Sequence, residues 1–161
     1  MTINMLQCGD ALSSGRQRGT VAAFLSAGNG YLGVTAAHIF QYSGSDLLEV
    51  GGVKTRVSSL RREYDLAYFR VPQAKATLLC PPEFGEAEVS SRLGIRRCRV
   101  SDISWSLCMI VLSPGDMPGP GESGAPVVQG GRVVGMLSSI NLNTCKGTMI
   151  SSELMAREAG A

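Results

Sequence analysis

The apolar positions of this chain fall in short alternating runs, and glycine pairs and prolines cut them off before any helical period develops. Such punctuation predicts strands joined by tight turns. In "GTVAAFLSAGNGYLGVTAAHIF" a strand runs to about Ser26, a Gly-Asn-Gly turn follows, a second strand reaches Val34, and a turn of helix covers Ala36 to Phe40. "SDLLEVGGVKTRVSSL" predicts two more strands broken at Gly51-Gly52, and "YDLAYFRV" another that begins just after Asp65. The next stretch, "PQAKATLLCPPEFGEAEVSS", has the weakest periodicity, and Pro72, Pro81 and Pro82 forbid a continuous element, so it reads as a connector. Strands resume in "GIRRCRVSDI" and "WSLCMIVLS", and "APVVQGGRVVGMLSS" adds a hairpin about Gly130-Gly131. The one helix of any length is predicted in "ISSELMAREAG", with Ser152 as N-cap, Glu153 in the first turn, apolar Leu154 and Met155, and a closing glycine.

These elements predict an all-β fold in a single domain, residues 1–161. Strand clusters at 1–75 and 91–150 flank a connecting segment at 76–90, and a helix at 151–161 closes the chain. With 161 residues, 44% of them hydrophobic, there is enough apolar material for a real core. A net charge of +2 gives no general reason to expect nucleic acid or an anionic membrane as partner. Locally, Arg92, Arg96, Arg97 and Arg99 form one basic stretch. It reads as a solvated strand, with a patch for RNA or an acidic partner as the alternative; no aromatic residues are interleaved there to stack on bases.

No apolar run approaches the roughly eighteen residues of a membrane span. The N-terminal stretch has neither a basic start nor an apolar signal core, which predicts a soluble chain that is not exported by its own signal. Cys8, Cys80, Cys98, Cys108 and Cys145 are odd in number and widely spaced, with no C-x-x-C pair and one histidine to join them. That argues against a disulfide scaffold and against a metal centre, and for mostly buried thiols in a reducing compartment, although spacing leaves pairing in space open. No cofactor is expected.

The chemistry concentrates in "GPGESGAPVV", residues 119–128, too rich in glycine and proline for a helix. A serine hydroxyl is a poor nucleophile by itself and needs a base, a group that orients the base, and donors for the oxyanion that forms. Ser123 lies two residues after Gly121, a spacing that lets the amides of Gly121 and Ser123 converge on one point. The base can only be His38, the sole histidine, in "VTAAHIF" at a strand end. Asp65, just before the apolar run "LAYF", is the best candidate for the orienting carboxylate. Each has a plain structural explanation alone; the order His, Asp, Ser inside three longer strings does not.

Those strings, "TAAH", "YDLAYFRV" and "GESGAPVV" followed by "GRVVGMLSS", resemble the three catalytic blocks of the chymotrypsin-like (trypsin-fold) serine proteases. The resemblance covers about Gly19 to Ser139, with little to align between Pro72 and Trp105. It implies two six-stranded antiparallel β-barrels with a short C-terminal helix, the first barrel carrying His38 and Asp65 and the second Ser123. It further implies a serine endopeptidase acting through an acyl-enzyme, with His38 as base then acid, Asp65 as its orienter, Ser123 as nucleophile, and the Gly121 and Ser123 amides as oxyanion donors. Ser138 matches the serine that supports the catalytic aspartate, and Ser138, Ser139 and Ile140 match the strand that pairs with the substrate. Met117 falls at the base of the primary pocket.

The departures also carry information. Glu122 stands where secreted relatives hold an aspartate that receives a newly cut N-terminus, and no Ile-Val-Gly-Gly-like start is present; Ala37 and Ile39 replace the cysteine environment of the histidine. This implies a compact intracellular type, bacterial or viral, in the bacterial cytosol or an infected host cell, not activated by propeptide cleavage. Met117 and Ile140 favour an apolar pocket, and a register shift to Asp116 would favour Arg or Lys instead. Viral relatives that cut after Gln or Glu place a second histidine in this pocket, which this chain lacks. A protein or peptide substrate is the expected partner. Two other readings stay open: a trypsin-fold binding or regulatory module that is inactive or needs an activating partner protein, and a viral-type protease that also binds RNA through Arg92–Arg99.

Overall fold

The computed structural model describes residues 5–160. Its first half holds β1 (Ala11–Ser14), β2 (Gln17–Thr20), β3 (Ala23–Ala27), β4 (Gly30–Ala36), the short helix α1 (His38–Ser43), β5 (Leu47–Val50), β6 (Val53–Arg61) and β7 (Leu66–Val71). The second half holds β8 (Gly85–Ser91), β9 (Gly94–Ile103), β10 (Leu107–Leu112), β11 (Pro126–Gln129), β12 (Arg132–Asn141) and β13 (Lys146–Ser151), and α2 (Ser152–Ala159) follows. The all-β, two-lobed architecture expected from the sequence is present, but the lobes close differently.

The second half is a closed six-stranded barrel in the order β10-β13-β12-β11-β8-β9. Strict alternation builds it: Ala87 and Val89 on β8, Cys98 and Val100 on β9, and Cys108, Ile110 and Leu112 on β10 all point into one buried cluster. The first half is a curled seven-stranded sheet, β2-β1-β5-β6-β7-β4-β3, whose two edges do not pair with each other. An unpaired edge must be satisfied elsewhere. On β3 the amide of Phe24 donates to Thr77 Oγ1 at 2.9 Å and its carbonyl accepts from the Thr77 amide at 2.9 Å. On β2 the Thr20 amide donates to the carbonyl of Ser123 at 2.9 Å. The open edges are thus covered by the connector and by the loop that carries Ser123.

Several elements refine the sequence reading. The hairpin β1–β2 has no long apolar run; it is anchored by buried Leu12 and by buried Ser14, whose hydroxyl donates to the Leu47 carbonyl at 2.7 Å. The first barrel strand, Gly85–Ser91, lies within the stretch read as connector, and its alternation of exposed Glu86 and Glu88 with buried Ala87 and Val89 is the signal that marks it. The N-cap of α2 is Ser151, whose hydroxyl accepts from the Leu154 amide at 3.3 Å, whereas Ser152 is the first helical residue and donates to the Cys80 carbonyl. The cap position is fixed by Ser151's extended backbone, φ −68° and ψ 150°, which the composition of a Ser-Ser pair cannot distinguish.

Helix α2 ties the halves together. Leu154 and Met155 belong to the core of the first half, and the buried Tyr68 hydroxyl on β7 donates to the Met155 carbonyl at 2.8 Å. This explains why "LAYF" is apolar at four consecutive positions: Leu66, Ala67, Tyr68 and Phe69 are covered on both faces. The halves are also joined by a bridge between Leu79 and Val133 and by the pair Arg92 to Asp10, Nη2 to Oδ1 2.7 Å. All five cysteines are free thiols, with Cys98 and Cys108 buried. Among the described residues no helix is long and apolar enough to cross a membrane.

Candidate active site

Asp65 occupies an unusual backbone position. It follows a 3-10 turn over Arg62–Tyr64, and its φ of 55° and ψ of 35° are left-handed, a conformation that Asp tolerates better than most residues but still at a cost. The cost is offset by hydrogen bonds at both the backbone and the carboxylate. The Asp65 amide donates to the Arg62 carbonyl at 3.2 Å and its carbonyl accepts from the Ala37 amide at 3.0 Å. Its carboxylate accepts from the His38 amide at 2.9 Å through Oδ1 and from the Ser138 hydroxyl at 2.7 Å through Oδ2.

His38 begins α1 directly after β4, with buried Ile39 and Phe40 pinning the helix behind it. Its Nδ1 lies 2.9 Å from Asp65 Oδ2 and 3.2 Å from Oδ1. A carboxylate accepts only, so in the neutral imidazole Nδ1 carries the proton and Nε2 keeps its lone pair. The pair is half-buried, with side chains 24% and 21% exposed, and the Tyr42 ring lies 5.7 Å from the imidazole. Elements of both halves therefore meet at Asp65: His38 from the first, Ser138 from β12 of the second.

The loop 118–124 is sewn onto the same place. Thr20 holds it twice, through the amide to the Ser123 carbonyl at 2.9 Å and through Oγ1 to the Gly121 carbonyl at 2.8 Å. Gly124 packs so closely that a Cβ there would lie 2.4 Å from the Thr20 carbonyl oxygen and 3.1 Å from the Ala36 amide, and its φ is +87°. No other residue type fits. Ala36 is two residues before His38, so the Ser123 loop and the histidine hang on one strand end. Gly121 has φ +90°. Among the described residues neither its amide nor that of Ser123 has a protein acceptor, while the intervening Glu122 amide donates to the Gly119 carbonyl at 3.2 Å.

Glu122 is 1% exposed. Arg96 on β9 meets it in a two-pronged pair, Nε to Oε1 at 3.0 Å and Nη2 to Oε2 at 3.3 Å, and the Gly119 amide donates to Oε2. The carboxylate pushes the guanidinium above its ordinary pKa through this hydrogen bond. The basic stretch is dispersed in the same way. Arg92 is spent on Asp10, while Arg97 and Arg99 stand opposite Glu88 and Glu86 in the β8–β9 register.

A cleft of about 330 Å³ opens beside Ser123, walled by Pro118, Leu137, Ser138, Ser139, Ile140 and Leu142. The Ser139 hydroxyl is bonded to Thr148 Oγ1 at 2.5 Å. Met117, expected at the base of this cleft, instead packs against the core of the closed barrel, and Pro118 takes its place in the wall. Pro118 and Leu142 were not singled out by the sequence, and Arg96 was named only as part of the basic stretch, with no link to Glu122.

The sequence matches no family model and no curated protein. Solved structures are similar throughout. A glutamic acid specific serine protease that uses a histidine triad in substrate binding superposes with a TM-score of 0.78 at 14% identity, over 96% of this chain and 98% of that one. Thermobifida fusca protease A gives 0.71 at 16% identity, over 96% of each chain. The NSP4 proteinase of Equine Arteritis Virus gives 0.65 at 19% identity, over 92% of this chain and 74% of its own. At these identities the likeness defines the fold, and that fold is the one shared by the chymotrypsin-like serine proteases.

Proposed function

We propose that this chain is a serine endopeptidase in which Ser123 is the nucleophile, His38 the general base and then acid, and Asp65 the group that orients His38. The observation that carries the reading is the chain of hydrogen bonds from Ser138 through Asp65 to His38 Nδ1, which leaves Nε2 free to accept a proton. In this mechanism Ser123 Oγ attacks the substrate carbonyl carbon and its proton passes to Nε2. The imidazolium that forms is stabilised by Asp65. The Gly121 and Ser123 amides donate to the developing oxyanion, which is a chemical use for two donors that have no protein acceptor among the described residues. Nε2 then protonates the leaving amine, and water, deprotonated by the same nitrogen, releases the acyl group.

The cleft beside Ser123 favours a neutral, apolar residue on the acyl side of the bond. Asp116, the candidate for drawing Arg or Lys, does not line it, and the one acid that does, Glu122, is already neutralised by Arg96. The histidine triad of the glutamic acid specific neighbour has no counterpart in a chain whose only histidine is held by Asp65. The Arg96–Glu122 pair supplies internally the cation that the buried acid requires, which supports a loop ordered without proteolytic activation. Hydrolysis of an unfolded protein tests the reading: the parent chain is expected to cut it, before or after apolar residues identified by mass spectrometry, and Ser123→Ala is expected not to. A folded parent chain that leaves the substrate intact would point to a binding or partner-dependent module instead.

A further inference from the structure

A second cleft, of about 470 Å³, lies on the other side of the same loop, between the β1–β2 hairpin and the turn joining β8 to β9. Pro120 lines both clefts, and Gly121 lines this one. A Cβ on Gly121 would stand 3.2 Å from Leu93 Cδ1 and 3.8 Å from Arg18 Cβ, so the α-carbon of this residue faces Leu93 and Arg18. If the acyl-side residue sits beside Ser138–Ile140 and the reacting carbonyl at the Gly121 and Ser123 amides, the chain beyond the scissile bond must leave across Gly121 into this second cleft. This inference rests on the peptidase reading.

The charges of the cleft then decide what it selects. Arg92 is engaged by Asp10, which is 8% exposed in its side chain. Glu49 on β5 stands opposite Lys54 in the β5–β6 register. Arg18 on β2 is exposed and, among the described residues, has no carboxylate or other side-chain partner. Leu93, 58% exposed at the hairpin tip, supplies an apolar wall that methylene groups can cover. We propose that this cleft binds the leaving-group side of the substrate and selects an acidic side chain one or two residues beyond the scissile bond, with Arg18 as its counter-charge. The protease would then combine a neutral requirement before the bond with an acidic preference after it.

The test is a peptide series with one apolar residue fixed before the bond and Glu, Gln or Lys at the first or second position after it. An exposed charge pair is modest in strength, so Glu is expected to exceed Lys in kcat/KM by roughly three- to tenfold at one of the two positions. Arg18→Ala is expected to flatten that ratio and Arg18→Glu to invert it, while the remote Arg97→Glu leaves it as in the parent. Added salt is expected to erode the preference, since the pair is exposed to screening. A flat profile in the parent, or an acid preference that survives Arg18→Glu, overturns the proposal. The two levels separate cleanly. Protein whose Ser123 is labelled by a fluorophosphonate yet shows a flat profile loses only this subsite, whereas protein that neither labels nor cuts any peptide loses the peptidase reading and this inference with it.

Discussion

Two acids hold the site together, and they do so by opposite means. Asp65, in the first half, is half-buried, strained at φ 55°, and surrounded by hydrogen-bond donors: the His38 amide, His38 Nδ1 and the Ser138 hydroxyl. Glu122, in the second half, is 1% exposed and depends on one guanidinium, Arg96, with the Gly119 amide beside it. In the proposed mechanism the first acid serves the chemistry, and the second holds the loop that carries Ser123. A carboxylate with several donors and some solvent still has partners when any single donor is lost. A fully buried one with a single counter-ion does not, because removing that ion leaves an uncompensated charge in a poorly polarisable interior. The Asp65 region should therefore be catalytically sensitive and structurally tolerant, and the Glu122 region the reverse.

Substitutions can break this contrast, and the largest effect is expected at the reacting groups. Ser123→Ala and His38→Ala are each expected to lower kcat by about 10⁴-fold or more, and the double variant little further, because such residues act as a unit. Additive losses would contradict the assignment. Asp65→Asn follows, with a loss on the order of 10³- to 10⁴-fold in kcat and a melting temperature close to the parent's, since it leaves the shape of the site in place while disturbing the His38 tautomer. Arg96→Ala should show the opposite balance: destabilisation of roughly 3 kcal/mol, read from denaturant unfolding, with a smaller activity loss in the molecules that remain folded. Adding Glu122→Gln to Arg96→Ala should recover part of that stability. Ser138→Ala removes one of three donors to the Asp65 carboxylate and is expected to cost no more than about tenfold in kcat/KM. The smallest expectation concerns the thiols. Burial pushes Cys98 up to about 12 and raises Cys108 as well, so both should resist alkylation at neutral pH in the native chain while the half-buried Cys80 and Cys145 react.

How much of this was legible beforehand follows the same division. His38, Asp65, Ser123 and Ser138 lie in local strings whose order and spacing carry the pattern, and the structure brings His38, Asp65 and Ser138 into direct contact. Strands with clean alternation, such as Gly94–Ile103, were readable to the residue. The hairpin β1–β2 was not, because its buried positions include Ser14, whose hydroxyl finds its partners about thirty residues away at Ser43, Ser45 and Leu47. The partner of Glu122 was equally hidden. Arg96 sits in a basic run that reads as one solvated patch, yet the fold sends Arg92 to Asp10 and Arg96 to Glu122, and sets Arg97 and Arg99 against glutamates on the next strand. Met117 was placed by counting back from Ser123. The 3-10 turn at Pro114–Asp116 and the extended backbone at Met117 set which side chains of that segment reach the cleft, and counting does not see them.

The central claim is that His38 activates Ser123. Its most direct test is labelling of the native chain with a serine-directed fluorophosphonate, located by peptide mass spectrometry, in the parent and in His38→Ala. The account expects one phosphonylated residue, Ser123, in the parent and at most trace labelling in the variant. A folded parent chain that is not labelled, or labelling of Ser123 that persists undiminished without His38, would contradict it.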